Sequence, residues 1–336
     1  MDSGKSKNLW YYILANVFIL LIFIFLLEMG ARVFLYFSRG SSTVGLPERT
    51  QYLSYQPFVM FGPDWESLLD PMQHPTIKNN VHVHRVLLLG GSTAALFPKK
   101  ILEAAFRKKF PHHEFEVINA AEGGYNARQE VIVASLWGAH LAPEIIISLD
   151  GANDLTHRIR MKNTGKFYLD SAYNLALKQP FLSPFAHILR HSQLVQGLQR
   201  SGERLMIGTA DQYADAVPIY ISAEHSINIL AKGLSATRIM VLQPFMSFKA
   251  PLSKEEAQFT AYQYRESVIK TLYNVENENL KKLATQDKVI YLDGRFLFKG
   301  INKTLFSDDV HFVDDQGYRI LAENIVNQLT KNSFKK

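Results

Sequence analysis

The sequence contains no cysteine among its 336 residues. Disulfide frameworks, thiolate metal sites and cysteine nucleophiles are therefore excluded, whereas the redox compartment stays undetermined. A large excess of one charge sign is also absent, since the net charge at pH 7 is only +6. This excess is too small for the basic footprint of a nucleic-acid-binding protein, so we predict no nucleic-acid partner. The chain also lacks internal repeats and low-complexity tracts, and its 47% hydrophobic content is enough to bury a full core.

One long apolar run near the N-terminus carries no charged residue. Residues 9–27, LWYYILANVFILLIFIFLL, contain Asn16 as the only clearly polar residue, and a helix of this length spans about 28 Å, close to one bilayer core. The run is longer than a signal-peptide core, and no small-x-small cleavage site follows it. We therefore predict an uncleaved, single-pass transmembrane anchor within residues 1–37. Lys5 and Lys7 before it favour a cytoplasmic N-terminus and an extracytoplasmic globular part.

The rest of the chain divides into a connector and one larger domain. Residues 38–80 contain glycine, serine and proline with scattered aromatic residues and no steady period. We predict that they form a juxtamembrane connector that packs partly on the following domain, residues 81–332. Within that domain, residues 155–235 have mostly helical patterns without a clear strand, which predicts a helical insertion or cap.

Five apolar runs in the larger domain alternate with helical patterns. The predicted strands are residues 85–90, 115–120, 144–151, 238–245 and 288–294. Continuous apolar runs are typical of parallel strands that are covered on both faces. We therefore predict an α/β fold with a doubly wound parallel sheet.

Polar residues that suit acyl transfer follow these strands. In a doubly wound sheet, catalytic groups collect at the carboxyl ends of the strands. Ser92 follows the first strand, and the loop after the fifth strand holds Asp308 and His311. His311 is the candidate base for the Ser92 hydroxyl, and Asp308 is the candidate acceptor that holds the imidazole in one tautomer. Gly124 and Asn153 follow the second and third strands, as candidate donors to a tetrahedral oxyanion.

Each of these residues also has a plain structural interpretation. Gly124 suits a turn, Asn153 suits an Asx turn or helix cap, and a single histidine such as His311 is often structural. The placement of all of them at strand ends favours a shared site. A phosphate-binding loop at LLLGGST is excluded, because neither the Gly-x-x-x-x-Gly-Lys-Ser/Thr nor the Gly-x-Gly-x-x-Gly spacing is present there.

Two histidine pairs raise the question of a metal. His82 and His84 lie in VHVHR, and His112 and His113 follow the next helical pattern. No matching carboxylate or histidine cluster stands near them in the sequence, so we predict no metal.

Four sequence blocks, in order over residues 85 to about 330, resemble the GDSL-like or SGNH hydrolase superfamily in its membrane-anchored bacterial type. LLLGGST resembles the nucleophile block, VINAAEGGYNARQE the second block, DGANDL the Gly-x-Asn-Asp block, and SDDVHF the Asp-x-x-His block. The resemblance implies Ser92, Asp308 and His311 as catalytic residues, with the Ser92 N–H, Gly124 and Asn153 forming the oxyanion hole. The family's first block commonly reads Gly-Asp-Ser, where this chain has Gly91 before Ser92.

The resemblance also implies a three-layer α/β/α fold of the SGNH-hydrolase or flavodoxin-like type, and a function without metal or cofactor. The expected protein is a membrane-anchored serine esterase that hydrolyses an O-acyl ester on a cell-surface glycan or lipid. Its expected partners include the machinery that builds envelope polysaccharide. Two alternatives stay open. One is an O-acyltransferase that modifies a surface polysaccharide through the same acyl-serine intermediate, and the other is a catalytically idle scaffold in a polymer-assembly complex.

Overall fold

The computed structural model describes residues 3–39, 58–59, 62–74, 77–78, 81–161, 208–258 and 263–330. Contacts divide the chain into two units, residues 1–52 with 171–206, and residues 53–170 with 207–336. The described part of the first unit is helix α1, Ser3–Arg39.

One sheet organises the second unit. Its described strands are β1 (Ile77–Lys78), β2 (Val81–Gly90), β3 (Glu114–Asn119), β4 (Ile145–Asp150), β5 (Thr237–Leu242) and β6 (Ile290–Asp293). The strands β3-β2-β4-β5-β6 lie side by side in this order and are all parallel, while β1 pairs antiparallel with the start of β2. Apart from β1, this is the strand order of a flavodoxin-like sheet. The five predicted parallel strands are confirmed, although several of their ends differ from the predicted ones.

Helices cover both faces of this sheet. The described ones are α2 (Trp65–Leu68), α3 (Ser92–Ala95), α4 (Lys99–Lys109), α5 (Ala127–Leu136), α6 (Ala152–Met161), α7 (Ala216–Gly233), α8 (Lys254–Ala257), α9 (Gln263–Asp287) and α10 (Asp315–Asn327). The helical pattern over residues 253–284 predicts one long helix, but α8 ends before α9 begins, so that prediction was wrong in detail.

The side chains of β5 show how the core is divided. Ile239 and Val241 pack into one apolar cluster with α4 and α10, whereas Met240 and Leu242 pack into another with α7 and α9. Successive side chains of a strand point to opposite faces, so both faces of β5 are buried. This confirms the three-layer arrangement and explains why the strands have no polar alternation.

The described part of the predicted insertion belongs to the covering layers. Helix α7 precedes β5 in the chain, and its residues Tyr220 and Ile227 are buried. Glu224 on the same helix accepts a hydrogen bond from the Ser148 hydroxyl of β4 at 3.0 Å. Residues 162–207 lie outside the described residues, so the predicted domain boundaries and any cap formed there stay predictions.

Two residues within the predicted connector pack on the domain that follows it. Val59 and Trp65 are buried. The Gln129 side-chain amide donates to the Val59 carbonyl at 3.0 Å, and the Trp65 indole N–H donates to the Tyr125 hydroxyl at 3.3 Å. These contacts bring the connector to the loop that carries Gly124.

Helix α1 contains the segment predicted to cross a membrane. Its large apolar side chains that are described, such as Phe18 and Phe25, are exposed. Over the described residues, no helix combines the length and the apolar character needed to cross a membrane. The predicted transmembrane helix therefore lacks support from the structure.

Candidate active site

Strand β2 delivers Ser92 to the carboxyl edge of the sheet, where Ser92 is the first residue of α3. Gly90 before it has a φ of +148°, and a Cβ on Gly90 would lie 2.4 Å from the Ala94 Cβ and 2.7 Å from the Leu149 carbonyl oxygen. Only glycine fits this turn without displacing its neighbours. The first N–H groups of a helix have no partner within it, so the Ser92 N–H is a candidate donor.

Asn153 lies against the residue before Ser92. A Cβ on Gly91 would be only 2.3 Å from the Asn153 side-chain nitrogen. The same nitrogen donates to the Tyr125 carbonyl at 2.7 Å, which leaves its second N–H for a ligand. A side chain at position 91 would require this amide to shift, whereas glycine leaves it in place.

Gly124 lies in the loop after β3, on the same edge. It has a φ of +83°, a conformation that favours glycine. The loop is tied to the end of β2, since the Glu122 N–H donates to the Gly90 carbonyl at 3.1 Å, and the Gly124 N–H makes no hydrogen bond among the described residues. The structure therefore brings Gly124 and Asn153 together beside Ser92.

His311 and Asp308 form a hydrogen-bonded pair. His311 Nδ1 lies 2.6 Å from Asp308 Oδ2, with Nδ1 taken as the donor. The other carboxylate oxygen accepts the N–H groups of Val310 at 2.9 Å and His311 at 2.7 Å. His311 Nε2 is buried and has no hydrogen-bond partner. The imidazole is therefore held in one orientation, with a single nitrogen left for chemistry.

Each residue of this pair also shifts the pKa of the other. Burial works to lower the pKa of His311, but the hydrogen bond and negative charge of Asp308 outweigh it, so this pKa lies above its usual value. Burial likewise works against ionisation of Asp308, yet its bonds to His311 and to backbone N–H groups bring its pKa below the usual value. The carboxylate is therefore ionised whenever the imidazole has to act as a base.

A buried ion pair holds the loop that carries His311. Glu256 on α8 accepts the N–H groups of Leu305 at 2.9 Å and Phe306 at 3.1 Å, and it pairs with Lys249 at 2.5 Å. The loop closes on itself, because the Ser307 N–H donates to the His311 carbonyl at 2.8 Å. Glu256 and Lys249 thus position His311, and no local sequence signal pointed to them.

Thr93 joins the Ser92 turn to the His311 loop. Its hydroxyl donates to the Val310 carbonyl at 3.2 Å and accepts from the Gln243 side chain at 2.9 Å. The structure thus places the residues adjoining Ser92 and His311 in contact, although the two side chains themselves share no hydrogen bond. Sequence reasoning missed Gln243, which follows β5 and could have been found by the same search of strand ends.

Buried carboxyl groups lie behind this edge. Asp150 ends β4, and burial raises its pKa and that of Glu130 beside it. Burial, together with repulsion from Asp150, also raises the pKa of Asp154 well above its usual value. Glu224, also buried there, pairs with the Arg238 guanidinium at 2.5 Å. Burial thus favours the protonated forms of Asp150, Glu130 and Asp154, which lie near the turn that positions Asn153.

Comparison with known proteins gives structural likeness alone. No family model matches the chain, and no curated protein matches it. The acetyl xylan esterase AlAXEase is 13% identical over 73% of this chain and 100% of its own, with a TM-score of 0.46. An acetylxylan esterase from Geobacillus stearothermophilus is 15% identical over 75% and 96%, with a TM-score of 0.44. An α/β hydrolase enzyme from the metagenome of Lake Arreo is 12% identical over 73% and 94%, with a TM-score of 0.45. Likenesses of this strength do not define the activity of this chain.

Proposed function

We propose that this protein hydrolyses O-acyl esters, with Ser92 as nucleophile, His311 as general base and Asp308 as the residue that orients it. The observation that carries the proposal is the buried, unpartnered Nε2 of His311. Its ring is fixed by Asp308 at 2.6 Å, and its loop is bound to the residue after Ser92. Such a pair beside a hydroxyl at a strand end is the arrangement that activates a serine.

The reaction follows from these positions. The Ser92 oxygen attacks the ester carbonyl carbon while its proton moves to His311 Nε2, which gives a tetrahedral intermediate. The intermediate collapses when His311 returns this proton to the leaving alcohol, and the acyl group stays on Ser92. Water then attacks the carbonyl carbon of the acyl-serine while its proton moves to Nε2, which gives a second tetrahedral intermediate. This intermediate collapses as His311 returns the proton to the Ser92 oxygen, which releases the acid and restores free Ser92.

The negative oxygen of the intermediate needs hydrogen-bond donors. The Ser92 N–H, the Gly124 N–H and the second N–H of the Asn153 amide are the donors proposed for it. Each donor of this kind contributes roughly 10² to 10³ to the rate. The amide of Asn153 is pre-oriented by its 2.7 Å bond to Tyr125.

The pH dependence of ester hydrolysis tests the role of His311. Only the neutral imidazole accepts the serine proton, and the pKa of His311 lies above its usual value. We therefore expect kcat/KM for 4-nitrophenyl acetate to fall as the pH drops below that pKa, measured from about pH 5 to pH 9.

The Asp308→Asn protein supplies the control for this profile. Without the negative charge, the imidazolium is less stable, so the fall in kcat/KM should move to lower pH. A profile that is identical in both proteins would contradict the proposed pairing.

We propose that the substrate is an acylated carbohydrate or lipid and that the reaction takes place at a membrane. The support is the apolar run of residues 9–27 and the exposure of the described apolar side chains in α1, since a large exposed apolar surface usually marks contact with another protein or with a membrane. We expect the full chain to stay in the membrane pellet after an alkaline carbonate wash, and a chain without residues 1–37 to be released. Recovery of the full chain in the soluble fraction would argue against this setting.

A further inference from the structure

Two histidines and one glutamate meet at the amino edge of the sheet, at the end of β2 opposite to Ser92. His82 Nε2 lies 2.7 Å from Glu144 Oε1, and His84 Nδ1 lies 2.8 Å from Glu144 Oε2. One ligand atom from each of the three residues falls within 4.8 Å of the others. We call these three residues the His82 cluster.

The backbone fixes this arrangement. His82 and His84 are two residues apart on β2, so their side chains lie on the same side of the strand. Glu144 directly precedes β4, the neighbouring strand, and its N–H donates to the Arg85 carbonyl at 3.0 Å. The carboxylate that is missing near these histidines in the sequence is thus supplied by the adjacent parallel strand.

A third histidine orients one of the rings. His84 Nε2 lies 2.8 Å from His113 Nδ1. When His84 donates its Nε2 proton across this contact, its Nδ1 presents a lone pair towards His82 and Glu144. Histidines that bind metals usually donate their other ring N–H to a neighbour in this manner, which fixes the tautomer and the ring orientation.

We propose that the His82 cluster binds a divalent transition-metal ion of the Zn²⁺ class, through His82 Nε2, His84 Nδ1 and the Glu144 carboxylate. Two imidazoles and a carboxylate form a common zinc ligand set, in which water occupies the fourth position. The ion can enter from solvent, because the His82 side chain is 55% exposed. Ligand atoms around a tetrahedral zinc stand about 3.3 Å apart, and small shifts of the exposed His82 ring and of the Glu144 carboxylate would provide this spacing. The bound ion would join β2 to β4.

Metal titration of the full chain tests this site. The protein is purified in mild detergent without a histidine tag, stripped with EDTA, and titrated with Zn²⁺ by calorimetry and with Co²⁺ by visible absorption. We expect one ion per chain, a tetrahedral Co²⁺ spectrum, and a melting temperature raised by about 5 °C in saturating Zn²⁺. His82→Ala and Glu144→Gln should each lose this binding, because each removes one ligand.

His112→Ala is the matched control, since His112 adjoins His113 but lies outside the cluster, and it should bind as the unaltered chain does. Absence of metal uptake by the unaltered chain, or equal uptake by the His82→Ala and Glu144→Gln proteins, would overturn the proposal. Ester hydrolysis is expected to be unchanged in all three variants, so the outcome is independent of the function proposed for Ser92.

Discussion

The Ser92→Ala protein is expected to hydrolyse 4-nitrophenyl acetate with a kcat lower by roughly 10⁴ to 10⁶, the loss seen when a serine nucleophile is removed from a triad. In the proposed mechanism the Ser92 hydroxyl forms the acyl intermediate, and alanine at the first position of α3 would have no oxygen for it. The backbone N–H of residue 92 survives the substitution, so binding should change little. The measurement is the full kcat and KM comparison with the unaltered chain.

Ser226→Ala provides the matched control, because Ser226 is an exposed serine on α7 that bonds only to the carbonyl one turn earlier. It should retain full activity. A fluorophosphonate probe should label the unaltered chain and the Ser226→Ala protein but not the Ser92→Ala protein. Ester hydrolysis by the Ser92→Ala protein at the rate of the unaltered chain would contradict the serine mechanism. If the unaltered chain neither hydrolyses esters nor reacts with the probe, the scaffold alternative is favoured.

Replacement of Arg238 by methionine is expected to destabilise the folded domain by about 3 to 5 kcal/mol, the usual cost of removing one partner from a buried ion pair. The Arg238 side chain is 1% exposed and that of Glu224 is fully buried. Arg238 also donates to the Ser148 hydroxyl at 2.7 Å and to the Asn228 side chain at 3.1 Å. Without it, Glu224 would have to be protonated among other buried carboxyl groups such as Asp150.

Thermal unfolding measures this loss, which should appear as a melting temperature lower by about 10 °C. Lys108→Met is the control, because Lys108 pairs with Glu323 while both side chains are largely exposed, and such surface pairs contribute about 0 to 1 kcal/mol. Adding Glu224→Gln to Arg238→Met should recover part of the stability, since it removes the unpaired charge. Equal melting temperatures for the Arg238→Met and Lys108→Met proteins would contradict the prediction.

The ends of the strands show which residues of the candidate site could be predicted from the sequence. Ser92, Gly124 and Asn153 each lie a few residues beyond the end of an apolar run, and parallel strands place such positions on one edge whatever the order of the strands. Asp308 and His311 are three residues apart, so their pairing is local to one turn. The residues that hold these groups in place were not predictable in this manner. Glu256 reaches the His311 loop from far along the chain, and nothing in its own surroundings in the sequence indicates that contact.

The sequence by itself determined the parallel strands, because they follow from a local pattern, apolar runs of strand length. The ends of these runs pointed to Ser92, Gly124 and Asn153, and the Asp-x-x-His spacing pointed to Asp308 and His311. Only the tertiary structure decided which distant groups meet. The order of the strands brings Glu144 between His82 and His84, and the approach of α6 to the Ser92 turn sets the Asn153 amide against Gly91. Contacts of this kind depend on which strands become neighbours and how closely helices approach the sheet, and no spacing along the chain records either.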